Sequence, residues 1–411
     1  MKEINIKLVT LCTLLLTVIS CTSYVDDLNV DPDNLVDSDA KNLFQGVLLA
    51  NQFFQTSSNT RDVMIWLNQA NGEDRQYVAL NNWNNSAASS FDDSWNNAYV
   101  NTITQAKITT TKALAEGNPN LAGASQVIEA HCLGTVTSLW GDVPYSEIDI
   151  TGKNLTPKFD PQAAVYKSIQ DLLDAAILNL KKTTGPGIPK DKDIYFGEKG
   201  SADGTVQVNK WIKLAYSLKA RYYLHTKEYP LAKFNAQLGI NSVNGDFNAQ
   251  FGQSYGQSFN PFYSFLIYDR DSYMSGDSYA ARLLDPSTSL YRGNTKTNES
   301  ARFAYTYSKD GNYFDPYELN FYSQFDWGET DGKFGTETAI PLVTYGEMLL
   351  IIAEVDARAS VLTGTNSYND YRALLNTGYS IGIDNSGYNS ASFSYLPYTA
   401  NDFLAGGIEN P

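Results

Sequence analysis

The sequence predicts a mainly α-helical protein of tetratricopeptide-like helix pairs, with long irregular loops and a few short strands. Three observations predict it. Apolar residues recur at steps of three and four along most of the chain, as one face of a helix requires. Gly and Pro punctuate those runs where helices end. Between Gly245 and Asn320 the period is lost and Gly, Ser, Asn, Gln and aromatic residues take over, a stretch too long for an ordinary connection and of the kind that carries function. Hydrophobic residues at 43% against charged ones at 18% supply ample core for a folded chain of 411 residues.

At the N-terminus, Met1–Lys7 carries two lysines, Leu8–Ile19 is an apolar run, and the small Ser20 precedes Cys21. These are the three regions of an export signal in order. Twelve helical residues span about 18 Å, short of a bilayer core of about 30 Å, so residues 1–20 are expected to be a signal peptide and not a membrane helix. Val18-Ile19-Ser20-Cys21 resembles the bacterial lipobox, which makes Cys21 the expected lipid-attachment site and mature N-terminus. Residues 21–38 hold Asp26, Asp27, Asp31, Asp33 and Asp37 with no basic residue and read as a solvated acidic tether. A calcium loop through Asp27, Asn29 and Asp31 fails, because Pro32 stands where the loop needs its turning glycine. Residues 39–411 make up the helical domain.

Within it, Leu43, Val47, Ala50 and Phe54 form one apolar stripe after a Ser38-Asp39 start, and Trp95, Tyr99, Ile103, Ala106 and Thr110 form another. A third helix is predicted from Ala122 to Trp140, stopped by Gly141 and Pro144. A fourth follows Asp160-Pro161, read as cap and first turn, through Val165, Ile169, Leu173 and Leu180 to the break at Gly185-Pro186-Gly187. Trp211 to Tyr222 and Tyr229 to Ile240 form a hairpin. A seventh helix is predicted from Pro341 to Val361, and an eighth from Tyr368 to Leu375 after Gly364. The alternation Phe303, Tyr305, Tyr307 predicts a short strand. Trp66, Trp95, Trp140 and Trp211 lie on apolar stripes and are expected in the core.

The formal charge of −15 excludes nucleic acid and anionic lipid as partners, since phosphate binding needs clustered Lys and Arg. Two histidines, His131 and His225, are too few for a histidine-based metal site or triad, and no cofactor is expected. Cys132, unpaired in an apolar helical segment, is expected to be a buried small hydrophobe. The carboxylates at Glu73-Asp74, Asp92-Asp93 and Asp142 to Glu147 do not make an enzyme, because adjacency in sequence does not set the separation of about 5–9.5 Å that glycoside hydrolysis needs. Asp142 is expected to bond turn amides after Gly141. Phosphate loops and Cys-x-x-Cys pairs are absent from the sequence.

Binding is where the residues point. A sugar ring presents an apolar face and a hydroxyl rim, so its site needs an aromatic platform flanked by hydrogen-bonding groups. Asn81-Asn82-Trp83-Asn84-Asn85 supplies both, with Glu73, Arg75 and Tyr77 just upstream. The candidate ligand contacts there are Trp83, Asn82, Asn84, Arg75 and Tyr77. A second aromatic cluster runs through Tyr313, Phe314, Tyr317, Phe321, Tyr322, Phe325 and Trp327, of which Tyr313, Tyr322 and Trp327 are candidate contacts.

Asp27-Leu28-Asn29-Val30-Asp31-Pro32-Asp33 after a lipobox, Trp140-Gly141-Asp142-Val143-Pro144-Tyr145-Ser146-Glu147 after a helix, and Pro341-Leu342-Val343-Thr344-Tyr345-Gly346-Glu347 leading to Ala353-Glu354 together resemble the SusD/RagB outer-membrane lipoproteins of Bacteroidetes. With Phe159-Asp160 through Tyr166 and Leu172 to Leu180 between them, the resemblance covers nearly the whole chain. It implies a helical domain whose long irregular loops and few short strands form a ligand surface, lipid-anchored on the outer face of the outer membrane. Such a protein acts as a lid on a TonB-dependent, SusC-like barrel transporter and hands it oligosaccharides or, for RagB-like members, peptides. The residues do not decide between glycan and peptide, and the second aromatic cluster fits a ligand or the rim of the barrel. Leu284-Asp285-Pro286 resembles a family Asp-Pro-Arg, but Ser287 replaces the Arg, so no salt bridge is carried over. Family members continue with further helices where this chain ends at Gly406-Gly407-Ile408-Glu409-Asn410-Pro411, so the resemblance implies truncation at the C-terminus.

Overall fold

The computed structural model describes residues 38–83, 87–197, 204–254, 258–309, 316–321, 332–379 and 394–410; Ala40–Pro411 make up the body. Its first helix, α1 (Ala40–Thr56), buries Phe44, Val47, Leu48 and Phe54. After the single residue Ser57 comes α2 (Ser58–Trp66), which buries Asn59, Arg61 and Ile65. The short α3 (Arg75–Leu80) follows the two-residue strand Asn71–Gly72. The stripe led by Trp95 belongs to α4 (92–115), which opens as an α-helix, widens to a π-helix over Asn97–Thr104 and returns to α at Gln105. Thr102 donates its hydroxyl to the Asn97 carbonyl at 2.9 Å, across the widened turn. Such segments recur at functional sites.

At the centre stands α5 (Pro119–Trp140), with 18 of its 22 residues buried. It starts three residues before the predicted Ala122, because the Asn118 side chain accepts from the Leu121 amide at 3.2 Å and Pro119 has no amide hydrogen to leave unpaired in the first turn. α6 (Gln162–Leu180) runs antiparallel to it. Asn120 Nδ2 donates to the Leu180 carbonyl at 2.9 Å at one end, and Gln162 Nε2 donates to the Thr137 carbonyl at 2.7 Å at the other. α7 (Gly204–His225) crosses close to α5 because Gly134 has no side chain there: a Cβ would stand 2.1 Å from the Tyr222 ring. α8 (Tyr229–Leu238) completes the hairpin with α7.

Two aspartates exchange the roles that the sequence suggested. The strand Val143–Pro144 pairs antiparallel with Phe159–Asp160, placing Val143 opposite Asp160. Asp160 therefore turns back to accept from the amides of Tyr145 and Ser146 at 3.0 and 2.6 Å, leaving Pro161 at the helix N-cap. Asp142 reaches across the ladder and accepts from the Gln162 amide at 2.8 Å, in the first turn of α6.

The stretch from Gly245 contains only short elements among its described residues, including α9 (Tyr279–Leu284) and α10 (Ser300–Thr306). Phe303 and Tyr305 thus lie on a helix, and the strand begins at Tyr307, running to Lys309 against Tyr317–Leu319. Pro341 is a strand residue: Ile340–Val343 pairs with Phe247–Ala249, and α11 (Tyr345–Ala359) starts only after Thr344, whose side chain accepts from the Glu347 amide at 3.1 Å. Val361 opens the next helix, α12 (Val361–Leu375), with Gly364 inside it against Ala357 of α11. Asp285 carries an ion pair despite Ser287: Lys309 Nζ approaches it at 2.8 Å. Burial pushes its carboxyl upward, but hydrogen bonds from Lys309, Ser287 and Tyr317 outweigh this and hold it at about 2.

Packing divides the interior. The helices α1 and α4–α8 share one large hydrophobic cluster with Val343, Met348 and Ile351. A second joins Ile65, Tyr77 and Leu80 to Phe262, Leu266, Tyr273, Phe303 and Phe334. Cys132 lies fully buried in the first, where loss of solvation pushes its thiol far above the usual range. None of the helices among the described residues is long and apolar enough to cross a membrane.

Candidate ligand-binding site

The asparagine-flanked tryptophan sits on a strained turn. Asp74 caps α3 by accepting from the Arg75 amide at 2.8 Å. At the other end Asn81 pins the chain to the Asn71–Gly72 strand, with its side chain accepting from the Gly72 amide at 2.9 Å and donating to the Gly72 carbonyl at 2.8 Å. The backbone then reverses at Trp83, whose φ of +58° is a left-handed conformation uncommon for bulky residues. Its amide bonds the Leu80 carbonyl at 3.1 Å, and 69% of the residue is exposed. Asn82 beside it is exposed too. A bulky side chain held at positive φ and in solvent marks a position to test for function.

The other sequence candidates separate. Arg75 is exposed, has φ +48°, and holds its guanidinium 5.8 Å from the Tyr273 ring. Tyr77 is buried in the second cluster, edge-on to Phe265 and Tyr273, and its hydroxyl accepts from Arg61 Nε at 3.1 Å. Burial pushes its phenol upward, and it buttresses the turn from behind. Asn84, Tyr313, Tyr322, Trp327 and the lipid-attachment candidate Cys21 lie outside the described residues.

Sequence reasoning missed a cavity of about 220 Å³ lined by Asn59, Asp62, Val63, Trp66, Phe91, Leu139 and Trp140. Three elements build it: α2, the 3-10 turn Ala88–Phe91, and the C-terminal end of α5. Trp66 packs on the second hydrophobic cluster and Trp140 on the first, so the cavity opens where the two meet. Trp66, Trp95 and Trp140, expected in the core, are only partly buried; Trp211 alone of the four is fully so. The rings make walls, since Phe91 stands at 85° to Trp140 with centroids 6.1 Å apart and at 49° to Trp66 at 6.4 Å. Trp95 continues the line, 5.5 Å from Trp140, and stacks at 23° on Phe159, which is 63% exposed.

Two polar side chains face this aromatic wall. Asn59 Nδ2 is buried and has no hydrogen-bond partner among the described residues, a position that costs about 1–3 kcal/mol unless something accepts from it. Asp62 is pushed up to about 6 because burial disfavours its charge, against an opposing pull from Arg61. Arg61 is itself engaged, with its guanidinium carbon 4.0 Å from the Phe265 ring centroid and its Nε on Tyr77. The cavity thus offers one free donor and one acceptor beside apolar faces. Asn59, Asp62, Val63 and Trp66 follow at steps of three and four along one helix face, and that mixture of polar and aromatic residues on one stripe was the available signal. Phe91 lies eight residues beyond Trp83 on the same connection. Among the described residues no group of three or more His, Cys, Asp or Glu is placed to hold a metal.

A family model described as SusD-like, starch-binding associating with outer membrane, matches residues 30–381. Among solved structures the fold is similar to a SusD/RagB family protein from Bacteroides thetaiotaomicron, with TM-score 0.62 and 21% identity over 87% of this chain and 78% of that one. It is also similar to a chitin-binding SusD homolog from Flavobacterium johnsoniae, with TM-score 0.60 and 14% identity over 85% and 72% of the two chains. A SusD homolog from Bacteroides vulgatus gives TM-score 0.57 at 18% identity over 85% and 71%. None of the curated proteins matches the sequence.

Proposed function

The chain belongs to the SusD-like family, and from that premise we propose that it is a cell-surface lipoprotein that binds oligosaccharides and delivers them to a TonB-dependent, SusC-like transporter. The observation that carries the binding half is the cavity walled by Trp66, Phe91 and Trp140, with Asn59 Nδ2, which lacks a partner among the described residues, and the Asp62 carboxylate in its wall. Aromatic faces with sparse hydrogen-bonding groups suit the alternating apolar and hydroxylated surface of a sugar chain. The exposed Trp83 adds a platform at the far end of the Phe91 connection. Chitin binding by a relative of the same fold supports a glycan ligand, and a net charge of −15 favours neutral chains over anionic ones.

In this reading residues 1–20 are the signal, Cys21 carries the lipid on the outer membrane, residues 21–38 are the tether, and the protein turns nothing over. The test is affinity electrophoresis through gels containing neutral polysaccharides, with a peptide library titrated in parallel and reducing ends assayed throughout. Retardation by a glycan without release of reducing ends supports the proposal. Binding of peptides alone would replace it with peptide uptake, and release of oligosaccharide by contaminant-free protein would replace it with hydrolysis.

A further inference from the structure

We propose that the cavity between α2 and the end of α5 selects an acetamido group, so that the preferred glycan carries N-acetylated sugars. This rests on the glycan reading above and narrows it to a chemical class. At about 220 Å³ the cavity has room for a substituent of several heavy atoms and is not limited to a single hydroxyl. A whole pyranose edge would bring several hydroxyls against a wall whose non-aromatic polar side chains, among the described residues, are Asn59 and Asp62. Each hydroxyl left without a partner there weakens binding.

An acetamido group brings one acceptor, one donor and one methyl. Its carbonyl oxygen can accept from Asn59 Nδ2, which lacks a partner among the described residues. Its N–H can donate to the Asp62 carboxylate, which none of the described residues hydrogen-bonds. Its methyl takes the space between Trp66, Phe91 and Trp140, where ring planes at 49° and 85° enclose a small apolar group better than they stack on a flat ring. Leu139, 41% exposed, completes the apolar rim, and the sugar ring would lie outside it.

Calorimetric titration of the purified full chain in detergent, at pH 7.5, decides the point. The probes are N,N′,N″-triacetylchitotriose, cellotriose, which differs only in bearing a hydroxyl at each acetamido position, and maltotriose. The wild type is expected to bind the acetylated trisaccharide at least tenfold tighter than cellotriose. Asn59→Leu and Asp62→Ala should each bring that ratio to within about threefold of unity while melting within a few degrees of wild type. Two variants are used so that misfolding of one leaves the other to judge. Equal or tighter binding of cellotriose or maltotriose by the wild type overturns the acetamido inference and leaves the glycan reading standing. A preference that survives in a folded variant moves the group out of this cavity. Failure to bind any of the three, or the polysaccharides of the gel assay, sinks both.

Discussion

Replacing Asp62 by Asn should stabilise the protein at neutral pH and weaken ligand binding, two effects of opposite sign that a merely structural residue would not show together. The carboxyl titrates at about 6, displaced from 3.8 chiefly by burial. At about 1.4 kcal/mol per pH unit, keeping it ionised would cost the folded state about 3 kcal/mol. Solvent reaching the cavity screens part of this, so about 1–2 kcal/mol is the working figure. Asn keeps the shape and removes the charge. The sign follows from proton counting. Between pH 4 and 6 the unfolded chain has lost this proton while the folded protein keeps it, so stability falls as pH rises through that window and is level above it.

Asp246, pushed up to about 6 by burial, contributes in the same direction and remains in the variant. Urea unfolding at pH 5.0 and 7.5 therefore measures the difference between the two proteins: Asp62→Asn should gain about 1–2 kcal/mol at pH 7.5 and clearly less at pH 5.0. Ligand affinity should move the other way. A hydrogen bond to the carboxylate favours its ionised form, so wild-type binding tightens as pH rises through 6, and the variant's profile is flat. A variant that is less stable than wild type at pH 7.5 would show that Asp62 makes favourable contacts within the fold and would refute the reasoning.

Trp83→Ala should weaken glycan binding five- to hundredfold, the loss of one stacking aromatic at about 1–3 kcal/mol. Because 69% of the residue is exposed, its unfolding midpoint should scarcely change, and a large drop would return Trp83 to the core. Trp83→Gly should be about 1 kcal/mol more stable than Trp83→Ala, since glycine carries no penalty at φ +58°; equal stability in chemical denaturation would contradict a strained turn. Trp211→Ala is the core control at about 3–5 kcal/mol, as the indole is fully buried and its Nε1 donates to Asp193 at 2.8 Å. Metabolic incorporation of a palmitate analogue should disappear in Cys21→Ala, and label that persists would end the lipoprotein assignment.

What the sequence made legible was whatever a local pattern determines. The stripe Leu43, Val47, Ala50, Phe54 marks α1 because core-facing spacing repeats within one helix, and Gly141 with Pro144 stops α5 for reasons contained in its own backbone. Errors arose where one pattern serves two structures. Pro341 suits a helix start or a strand that can spare its amide, and the strand prevailed because Phe247–Ala249, nearly a hundred residues earlier, pairs with it. The Thr344 to Glu347 spacing already carried the true helix start. Phe303, Tyr305 and Tyr307 alternate as a strand would, yet Phe303 and Tyr307 are also one helical turn apart, and tertiary packing chose α10. Trp66 and Trp140 pose the deeper difficulty. Each lies on an apolar stripe and each packs on a hydrophobic cluster, but on different ones, and the second cluster is completed by Phe262 to Phe334, some two hundred residues beyond Trp66. A stripe reports only that a side chain faces something apolar. Whether two such surfaces close on each other or stand apart is fixed by the non-local packing of both, and the cavity is the space where these two do not close.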